Sequence, residues 1–175
     1  TLYKQAGKQP AIMRGLEIAG AKMRELAGAG IAAARNGKLA VHCWRGGMRS
    51  GSVAWLLERL GLEVIVLTGG YKRYRRLCRE MFAHPWRLNV IGGKTGSQKT
   101  RILSELPAHG LQIVDLEALA NHRGSAFGYA ADGLQPTQEQ FENELGWRLF
   151  WAKRDQPLFV EDESRLIGRM HIPHP

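Results

Sequence analysis

One stretch constrains the fold of this chain more than any other. An apolar run at 39–41 precedes a nine-residue loop at 42–50, and apolar residues then recur at helical spacing from 53 to 60. This order predicts a strand, a tight loop and a helix. Cys43 would lie at the end of the strand, where the backbone N–H groups and the positive dipole end of the helix face its sulfur. We therefore expect Cys43 to be largely a thiolate near neutral pH.

The same loop contains residues suited to binding an oxyanion. Gly46 and Gly47 let the backbone turn with positive φ and bring its amides towards a bound group. Arg49 offers a planar guanidinium for a tetrahedral oxyanion. A cysteine that is merely packed would not need these neighbours. Cysteine phosphatases and the rhodanese family, whose cysteine carries a persulfide-type adduct, share this pattern, and the loop alone does not choose between them.

The elements around this loop predict a parallel sheet. Residues 63–67 are β-branched and nearly all apolar, which indicates a second strand. Because it follows the first strand through a helix, the two should be parallel and covered on both faces. Residues 1–9 are polar and are predicted to form a loop. The apolar spacing from Pro10 predicts one helix that ends near the Asn36-Gly37 turn.

Charge is distributed unevenly along the chain. Residues 1–90 contain 16 Lys and Arg against five Glu, whereas residues 91–175 contain nine Lys and Arg against 11 Asp and Glu. A basic half is suited to a polyanion such as nucleic acid, although a solvated basic face is the alternative. The densest basic run predicts a helix with tyrosines for stacking. Its candidate RNA-binding residues are Lys72, Arg73, Arg75, Arg76 and Arg79; Cys78 is predicted to be a packed thiol.

Another segment of strand, loop and helix follows a linker at 83–85. The apolar residues 88–91 lead into a G-x-x-x-x-G-K-T type loop, and a short helix continues to Leu106. Such a loop binds phosphate groups through backbone amides and lysine. One position departs from the pattern, because Gln98 replaces the glycine before the lysine and would add strain or crowd the ligand. The predicted diphosphate-binding residues are Gly93, Thr95, Gly96, Ser97, Lys99 and Thr100.

Polar residues follow two further predicted strands. Residues 111–114 end in acidic residues, and 157–160 lead into Glu161, Asp162 and Glu163. In a P-loop sheet, a carboxylate after an apolar strand is placed to associate with Mg²⁺, although an ordinary acidic strand end has the same pattern. Thr137 and Gln140 form a capping box that opens a helix. The candidate polar residues of this second site are Asp115, His122, Arg123, Glu161 and Asp162.

The two loops within one chain resemble the tRNA 2-selenouridine synthase family. The resemblance extends over nearly the whole chain and includes motifs outside the loops. The matching stretches are TLYKQ at 1–5, CWRGGMRS at 43–50, GGYK at 69–72, TGS at 95–97 with KT at 99–100, DLE at 115–117, ANHRGS at 120–125, QFEN at 140–143 and VEDES at 160–164.

The resemblance implies a fold and an activity. It implies an α/β chain in which a partial rhodanese-like parallel-sheet domain, residues 1–84, is followed by a partial P-loop NTPase-like domain, residues 85–175. The resemblance implies that the first domain lacks its N-terminal part and the second domain lacks its C-terminal part. The family replaces sulfur by selenium in wobble 2-thiouridine of tRNA, using selenophosphate, and it geranylates the sulfur from geranyl diphosphate. No tightly bound cofactor is implied, and Mg²⁺ is an option.

The resemblance also assigns roles to residues. Cys43 would be the nucleophile that carries selenium, with Arg49 as its catalytic partner. Selenophosphate would be held by the loop residues Arg45, Gly46, Gly47, Met48 and Arg49. The second loop would bind a diphosphate, and no metal-binding residue is assigned.

Two alternative functions remain open from the residues. A cysteine phosphatase commonly uses an aspartate as general acid, and none occurs before Asp115. A non-catalytic RNA-binding module is favoured by Gln98 and disfavoured by the intact cysteine loop. Two cysteines are too few for a disulfide framework, and no apolar run approaches the ~18 residues of a membrane helix. We expect a cytoplasmic protein without membrane contact; the oligomeric state is open.

Overall fold

A computed structural model describes residues 2–94, 96–122 and 134–174 of the protein. The chain forms two compact units, Thr1–Arg73 and Tyr74–Pro175. Each unit combines helices with parallel strands, so the α/β class predicted from the sequence is confirmed. No helix in these described ranges is long and apolar enough to cross a membrane.

The first unit begins with three helices: α1 (Leu2–Ala6), α2 (Lys8–Gly20) and α3 (Met23–Ala33). The predicted loop at residues 1–9 is therefore wrong. Lysine, glutamine and alanine are good helix formers despite the polarity of the segment, and Gly7 at φ 89° separates α1 from α2. The single predicted helix from Pro10 is also divided, because the chain turns at Ala21 and Lys22 after Gly20.

A strand–helix–strand segment completes most of this unit: β1 (Lys38–Val41), α4 (Met48–Arg59) and β2 (Glu63–Val66). The strands pair in parallel, as predicted, with Val41 opposite Val66. Leu57 of α4 is buried and packs closely against Gly30 of α3. The prediction of a sheet covered on both faces is wrong, because alternate residues of β2 are exposed and Ile65 is 61% accessible.

Helix α5 (Gly70–Phe82) starts in the first unit and ends in the second. Its later part packs against α8 (Gln138–Trp151), where Cys78 lies beside Gly146. A Cβ at Gly146 would lie 2.7 Å from the Cys78 Cα, so glycine is required for this close approach. Cys78 is buried, which confirms the predicted packed thiol.

The second unit is built on three parallel strands, β3 (Leu88–Ile91), β4 (Gln112–Val114) and β5 (Leu158–Glu161). Their order is β3-β5-β4, so β5 lies between two strands that precede it in sequence. Short helices α6 (Lys99–Glu105) and α7 (Leu116–Ala120) follow β3 and β4. This topology places the segments after all three strands at one edge of the sheet.

The core of the second unit lies between this sheet and α8. Phe141 and Leu158 are almost completely buried in it. The side chain of Thr137 accepts a hydrogen bond from the N–H of Gln140, which caps α8 as predicted. A 3₁₀ turn (Leu106–His109) extends α6, and a short antiparallel pair, β6 (Leu166–Ile167) and β7 (Met170–His171), was not predicted.

Candidate functional site

Cys43 lies in the loop between β1 and α4, with its sulfur facing the first turn of that helix. The N–H of Gly47 donates to the sulfur at 3.3 Å, and the hydroxyl of Ser50 lies 3.4 Å from it. The same hydroxyl is 3.0 Å from the carbonyl oxygen of Gly47. Because a hydroxyl has one proton, Ser50 donates either to this carbonyl or to the sulfur, and a thiolate favours the sulfur.

These contacts lower the pKa of Cys43 to about 6. The hydrogen bond from the Ser50 side chain contributes most, followed by the backbone N–H of Gly47 and then that of Ser50; the Arg45 backbone adds a smaller contribution. All of them stabilise the negative sulfur more than the neutral thiol. Cys43 is thus mainly a thiolate at neutral pH, as predicted. Sequence reasoning missed Ser50, although its place in the first turn of α4 was available as a signal.

The start of α5 fixes the backbone of this loop. The N–H groups of Tyr71 and Lys72 donate to the carbonyls of Cys43 and Trp44 at 2.9 and 3.0 Å. Amides at a helix N-terminus lack partners within the helix, so the loop carbonyls satisfy two of them. The loop carbonyls consequently point to α5, which leaves the N–H of Gly47 directed at the sulfur.

The two loop glycines have different roles. Gly46 has φ 65°, and a Cβ there would lie 2.7 Å from the backbone nitrogens of Gly69 and Gly70. Gly47 has φ −109°, and a Cβ there would meet nothing within 4 Å. The predicted positive φ is therefore confirmed for Gly46 and wrong for Gly47. A side chain therefore has room at position 47 and none at position 46, where the loop passes close to the start of α5.

The other predicted residues of this loop lie at its surface. Arg45, Met48 and Arg49 are all exposed, and Met48 begins α4. Within the described ranges, neither arginine forms an ion pair. Both guanidinium groups are thus available to an anion at the loop. Residues 43–49 therefore supply a thiolate, a backbone N–H and two cations within one short segment.

The second loop follows β3 and leads into α6. A Cβ at Gly93 would lie 2.6 Å from the Ser97 hydroxyl oxygen, so glycine is needed for the tight loop. The Lys99 ammonium donates to the Gly93 carbonyl at 2.9 Å, which draws it across the loop. Gly96 has φ 85°. The lysine is thus directed to the first residue of the loop; Thr95 lies outside the described residues.

Gln98 adopts the strained conformation that its position predicts. It has φ 61° and ψ 31°, the left-handed region, immediately before α6. Glycine adopts this region without cost, whereas a residue with a Cβ pays about 1–2 kcal/mol. Gln98 therefore adopts the left-handed backbone conformation that the glycine of the motif would adopt.

Acidic residues gather where the three strands of the second unit end. Carboxylate oxygens of Glu117, Glu161 and Glu163 lie within 4.8 Å of one another. Glu161 is 3% exposed, and its Oε1 has no hydrogen-bond partner in the described part of the chain. Thr100 of the second loop donates to Glu117 at 3.4 Å. The sheet order explains the cluster, because Glu161 lies directly opposite Ile91, the last residue before the loop.

The electrostatics of this cluster favour a cation. Burial raises the pKa of Glu161, the neighbouring Thr100 hydroxyl lowers it, and the charges of Glu117 and Asp115 raise it further. Burial likewise raises the pKa of Glu163, and the charges of Glu117 and Glu161 raise it further. Carboxylate and hydroxyl oxygens are the ligands that Mg²⁺ prefers, so these residues fit that ion.

The remaining second-site candidates have other positions. Asp115 caps α7 by accepting from the N–H of Ala118 at 2.8 Å, and Asp162 is exposed beside Gly92. His122 is buried just after α7, and its backbone N–H donates to the backbone carbonyl of Glu117. Arg123 lies outside the described residues. Sequence reasoning missed Glu117 and Glu163 as partners of Glu161, since only the strand order brings them together.

The basic residues of α5 are not equivalent. The Arg75 guanidinium forms an ion pair with Glu142 and lies 3.3 Å from the Asn143 side-chain oxygen, so its role within the second unit is structural. This geometry argues against the predicted RNA contact of Arg75. Arg76 and Arg79 are exposed on the same helix. Lys72 and Arg73, in the first unit, are exposed as well.

Comparisons with known proteins identify the family of this chain. The family model described as the tRNA 2-selenouridine synthase AAA domain matches residues 86–175. A curated tRNA 2-selenouridine synthase of Alcanivorax borkumensis is 43% identical over 98% of this chain and 48% of its own length. That of Hahella chejuensis is 40% identical over 98% of this chain and 46% of its own length. The chain belongs to the tRNA 2-selenouridine synthase family.

The chain spans about half the length of the curated tRNA 2-selenouridine synthases that it matches. A solved structure is also similar, the N-terminal domain of a putative ATP/GTP binding protein from Clostridium difficile 630. It is 41% identical over 43% of this chain and 59% of that one, with a TM-score of 0.40.

Proposed function

We propose that this chain contributes two sites to a tRNA 2-selenouridine synthase. The reaction replaces the sulfur of wobble 2-thiouridine by selenium, through an S-geranyl intermediate, with selenophosphate and geranyl diphosphate as substrates. The observation that carries this proposal is the low pKa of Cys43 within a loop that also presents an N–H, a hydroxyl and two arginines. Membership of the family supports the choice of tRNA and selenium.

The first site suits the selenium donor. Selenophosphate is a tetrahedral anion, and Arg45 and Arg49 are exposed beside Cys43 without an internal partner in the described ranges. The Gly47 N–H donates to the sulfur, so it would stabilise the negative charge held there. Cys43 would act as the nucleophile that carries selenium: its thiolate would attack the selenium atom, the S–Se bond would form while the Se–P bond breaks, and phosphorus would leave with the bonding electron pair as phosphite.

The second site suits the geranyl donor. The thiouridine sulfur would attack C1 of geranyl diphosphate, forming the S–C bond while the C–O bond breaks and diphosphate leaves. Lys99 and the loop amides would hold the diphosphate, with Lys99 exchanging the Gly93 carbonyl for a phosphate oxygen. When Mg²⁺ is bound, it supplies positive charge for the leaving diphosphate; Glu117, Glu161, Glu163 and Thr100 would hold it.

Exposed basic residues suit the tRNA. Lys72 and Arg73 of the first unit and Arg76 and Arg79 of the second lie at the surface and would contact phosphates. Arg75 is omitted because Glu142 and Asn143 already engage it. A catalytic thiolate requires a reducing compartment, which supports a cytoplasmic location.

The decisive experiment is intact-mass spectrometry of the protein after mixing with selenophosphate. We expect one selenium adduct, absent from Cys43→Ala and retained by Cys78→Ala, which removes the buried thiol instead. The same variants would be tested for conversion of S-geranyl-2-thiouridine tRNA to selenouridine tRNA. Unchanged conversion by Cys43→Ala would reject the proposal, and release of inorganic phosphate from simple phosphate esters without any adduct would favour a cysteine phosphatase.

A further inference from the structure

An aromatic cluster flanks Cys43 and has no part in either anion site. The Tyr71 ring lies 6.1 Å from the His42 ring at an interplanar angle of 29°, and 5.5 Å from the Trp44 ring at 39°. The residues on both sides of the nucleophile therefore contact one ring from the first turn of α5. A cluster placed in this way belongs to the surroundings of the reacting sulfur.

Trp44 is both exposed and held in place. Its accessible fraction is 54%, although large aromatic side chains are usually mostly buried. Its carbonyl accepts the Lys72 N–H at 3.0 Å, and Tyr71 backs one side of its ring. A ring fixed in this way loses little conformational freedom when a ligand stacks on its open side.

Building on the proposed function, we propose that Trp44, supported by Tyr71, is a stacking surface for the thiolated nucleobase of an unpaired nucleotide. Trp44 directly follows Cys43, and the Cα atoms of such neighbours are about 3.8 Å apart, so a base on the Trp44 ring would be bound at the cysteine loop. Enzymes that act on a base need it out of the helical stack, and aromatic rings receive such bases. Trp44 would thus be a positioning residue for the acceptor.

The charges around the ring favour a nucleotide over a prenyl chain. Three exposed cations accompany Trp44. Arg45 and Arg49 belong to the same stretch of sequence, and the backbone N–H of Lys72 donates to the Trp44 carbonyl. None of the three forms an ion pair in the described ranges. A prenyl chain gains affinity by burial among apolar side chains, whereas this ring stands open among cations. A nucleotide provides a flat base for the ring and phosphates for the cations.

The test uses a single-stranded RNA pentamer with a central 2-thiouridine. Trp44→Ala should weaken its binding about tenfold, since a stacked base contributes roughly 1–3 kcal/mol. Trp44→Phe should stay within about threefold, because it keeps a ring. Trp55→Ala is the matched control, since Trp55 is 56% exposed on α4 of the same unit. Binding should quench tryptophan fluorescence in every protein that retains Trp44.

The outcomes separate this proposal from the proposed function. Equal affinity of Trp44→Ala and Trp55→Ala for the pentamer, with unchanged quenching, would overturn the stacking surface. A loss confined to geranyl diphosphate would also overturn it and assign the ring to the prenyl chain. The pH profile of Cys43 alkylation should be unchanged in Trp44→Phe, which shows that the loop is intact. Trp44-dependent binding without selenium transfer would leave the stacking surface standing and reject the proposed function.

Discussion

The hydroxyl of Ser50, in the first turn of the helix that follows the cysteine loop, lies 3.4 Å from the sulfur of Cys43. This contact is the largest of the contributions that lower the pKa of Cys43 to about 6. It joins a surface nucleophile to a residue that is itself buried, so its geometry is fixed by the packing of α4.

Replacing Ser50 by alanine should raise the pKa of Cys43 above 6, because the thiolate loses its strongest donor while the thiol loses little. Alkylation by iodoacetamide, measured from pH 5 to 9, should show a midpoint near pH 6 for the native protein. The midpoint should be higher for Ser50→Ala, with several-fold slower alkylation at pH 6. Ser52→Ala, on the exposed side of α4, is the control. Identical profiles for Ser50→Ala and the native protein would assign the low pKa to the backbone amides.

Gly46→Ala should unfold the cysteine loop, whereas Gly47→Ala should leave it folded. An alanine at 46 would combine the left-handed strain with contacts of 2.7–2.8 Å to the backbone of residues 67–70. We expect a loss of about 2 kcal/mol or more in the free energy of unfolding. Gly47 has an extended backbone and open space, so its variant should lose less than about 1 kcal/mol. Urea unfolding of both variants measures the difference, and equal losses would contradict it.

Particular residues show how far sequence alone could predict this protein. The local order of strand, loop and helix was readable at both loops, because apolar spacing and glycines are local signals. The strained Gln98 was also predictable, since its motif requires glycine. The proximity of Glu117 to Glu161 was not, because it depends on β5 inserting between β3 and β4. The hydrogen bonds from Tyr71 and Lys72 to the carbonyls of the cysteine loop were not predictable either, because a later helix supplies them.

Gln98→Gly should stabilise the second unit and tighten diphosphate binding. The change removes a left-handed strain of about 1 kcal/mol, partly offset by the greater freedom of glycine in the unfolded chain. Isothermal titration with geranyl diphosphate and with ATP would compare the native protein, Gln98→Gly and Lys99→Ala. We expect tighter binding of geranyl diphosphate than of ATP, strengthened by Gln98→Gly and weakened by Lys99→Ala.

A matched control comes from Asn36, which also has a positive φ, 50°. Asparagine tolerates this region better than glutamine, so Asn36→Gly should stabilise the protein less. ATP binding tighter than geranyl diphosphate, with turnover, would replace the prenyl donor by a nucleotide. If Gln98→Gly binds neither ligand, the second loop has a structural role only.

Arg75→Ala and a double Arg76→Ala/Arg79→Ala variant should affect different properties. Arg75→Ala breaks a partly buried ion pair with Glu142, so it should lower the melting temperature. The double variant removes exposed cations and should lower the magnitude of the log–log salt slope of tRNA binding by about 2. Filter binding at several salt concentrations provides the slope. An unchanged slope in the double variant would identify these arginines as a solvated face.

Glu161→Gln should stabilise the protein at pH 8 without Mg²⁺ and abolish stabilisation by Mg²⁺. Because burial raises the pKa of Glu161, the folded state retains its proton to higher pH than the unfolded state, where the pKa is about 4.3. The native protein therefore loses stability as the pH rises from that value through the raised pKa, and the loss persists at pH 8. Glutamine has no charge to bury, so its advantage should disappear near pH 4.

Thermal unfolding at pH 4 and pH 8, with and without millimolar Mg²⁺, provides the measurement. Native protein should gain several degrees from Mg²⁺ at pH 8, because a bound dication offsets two negative charges of the three-glutamate cluster. Asp162→Asn is the matched control, since this neighbouring carboxylate is exposed and should leave the Mg²⁺ response intact. If Asp162→Asn removes the response while Glu161→Gln keeps it, the cation is held at the exposed carboxylate rather than at the buried one.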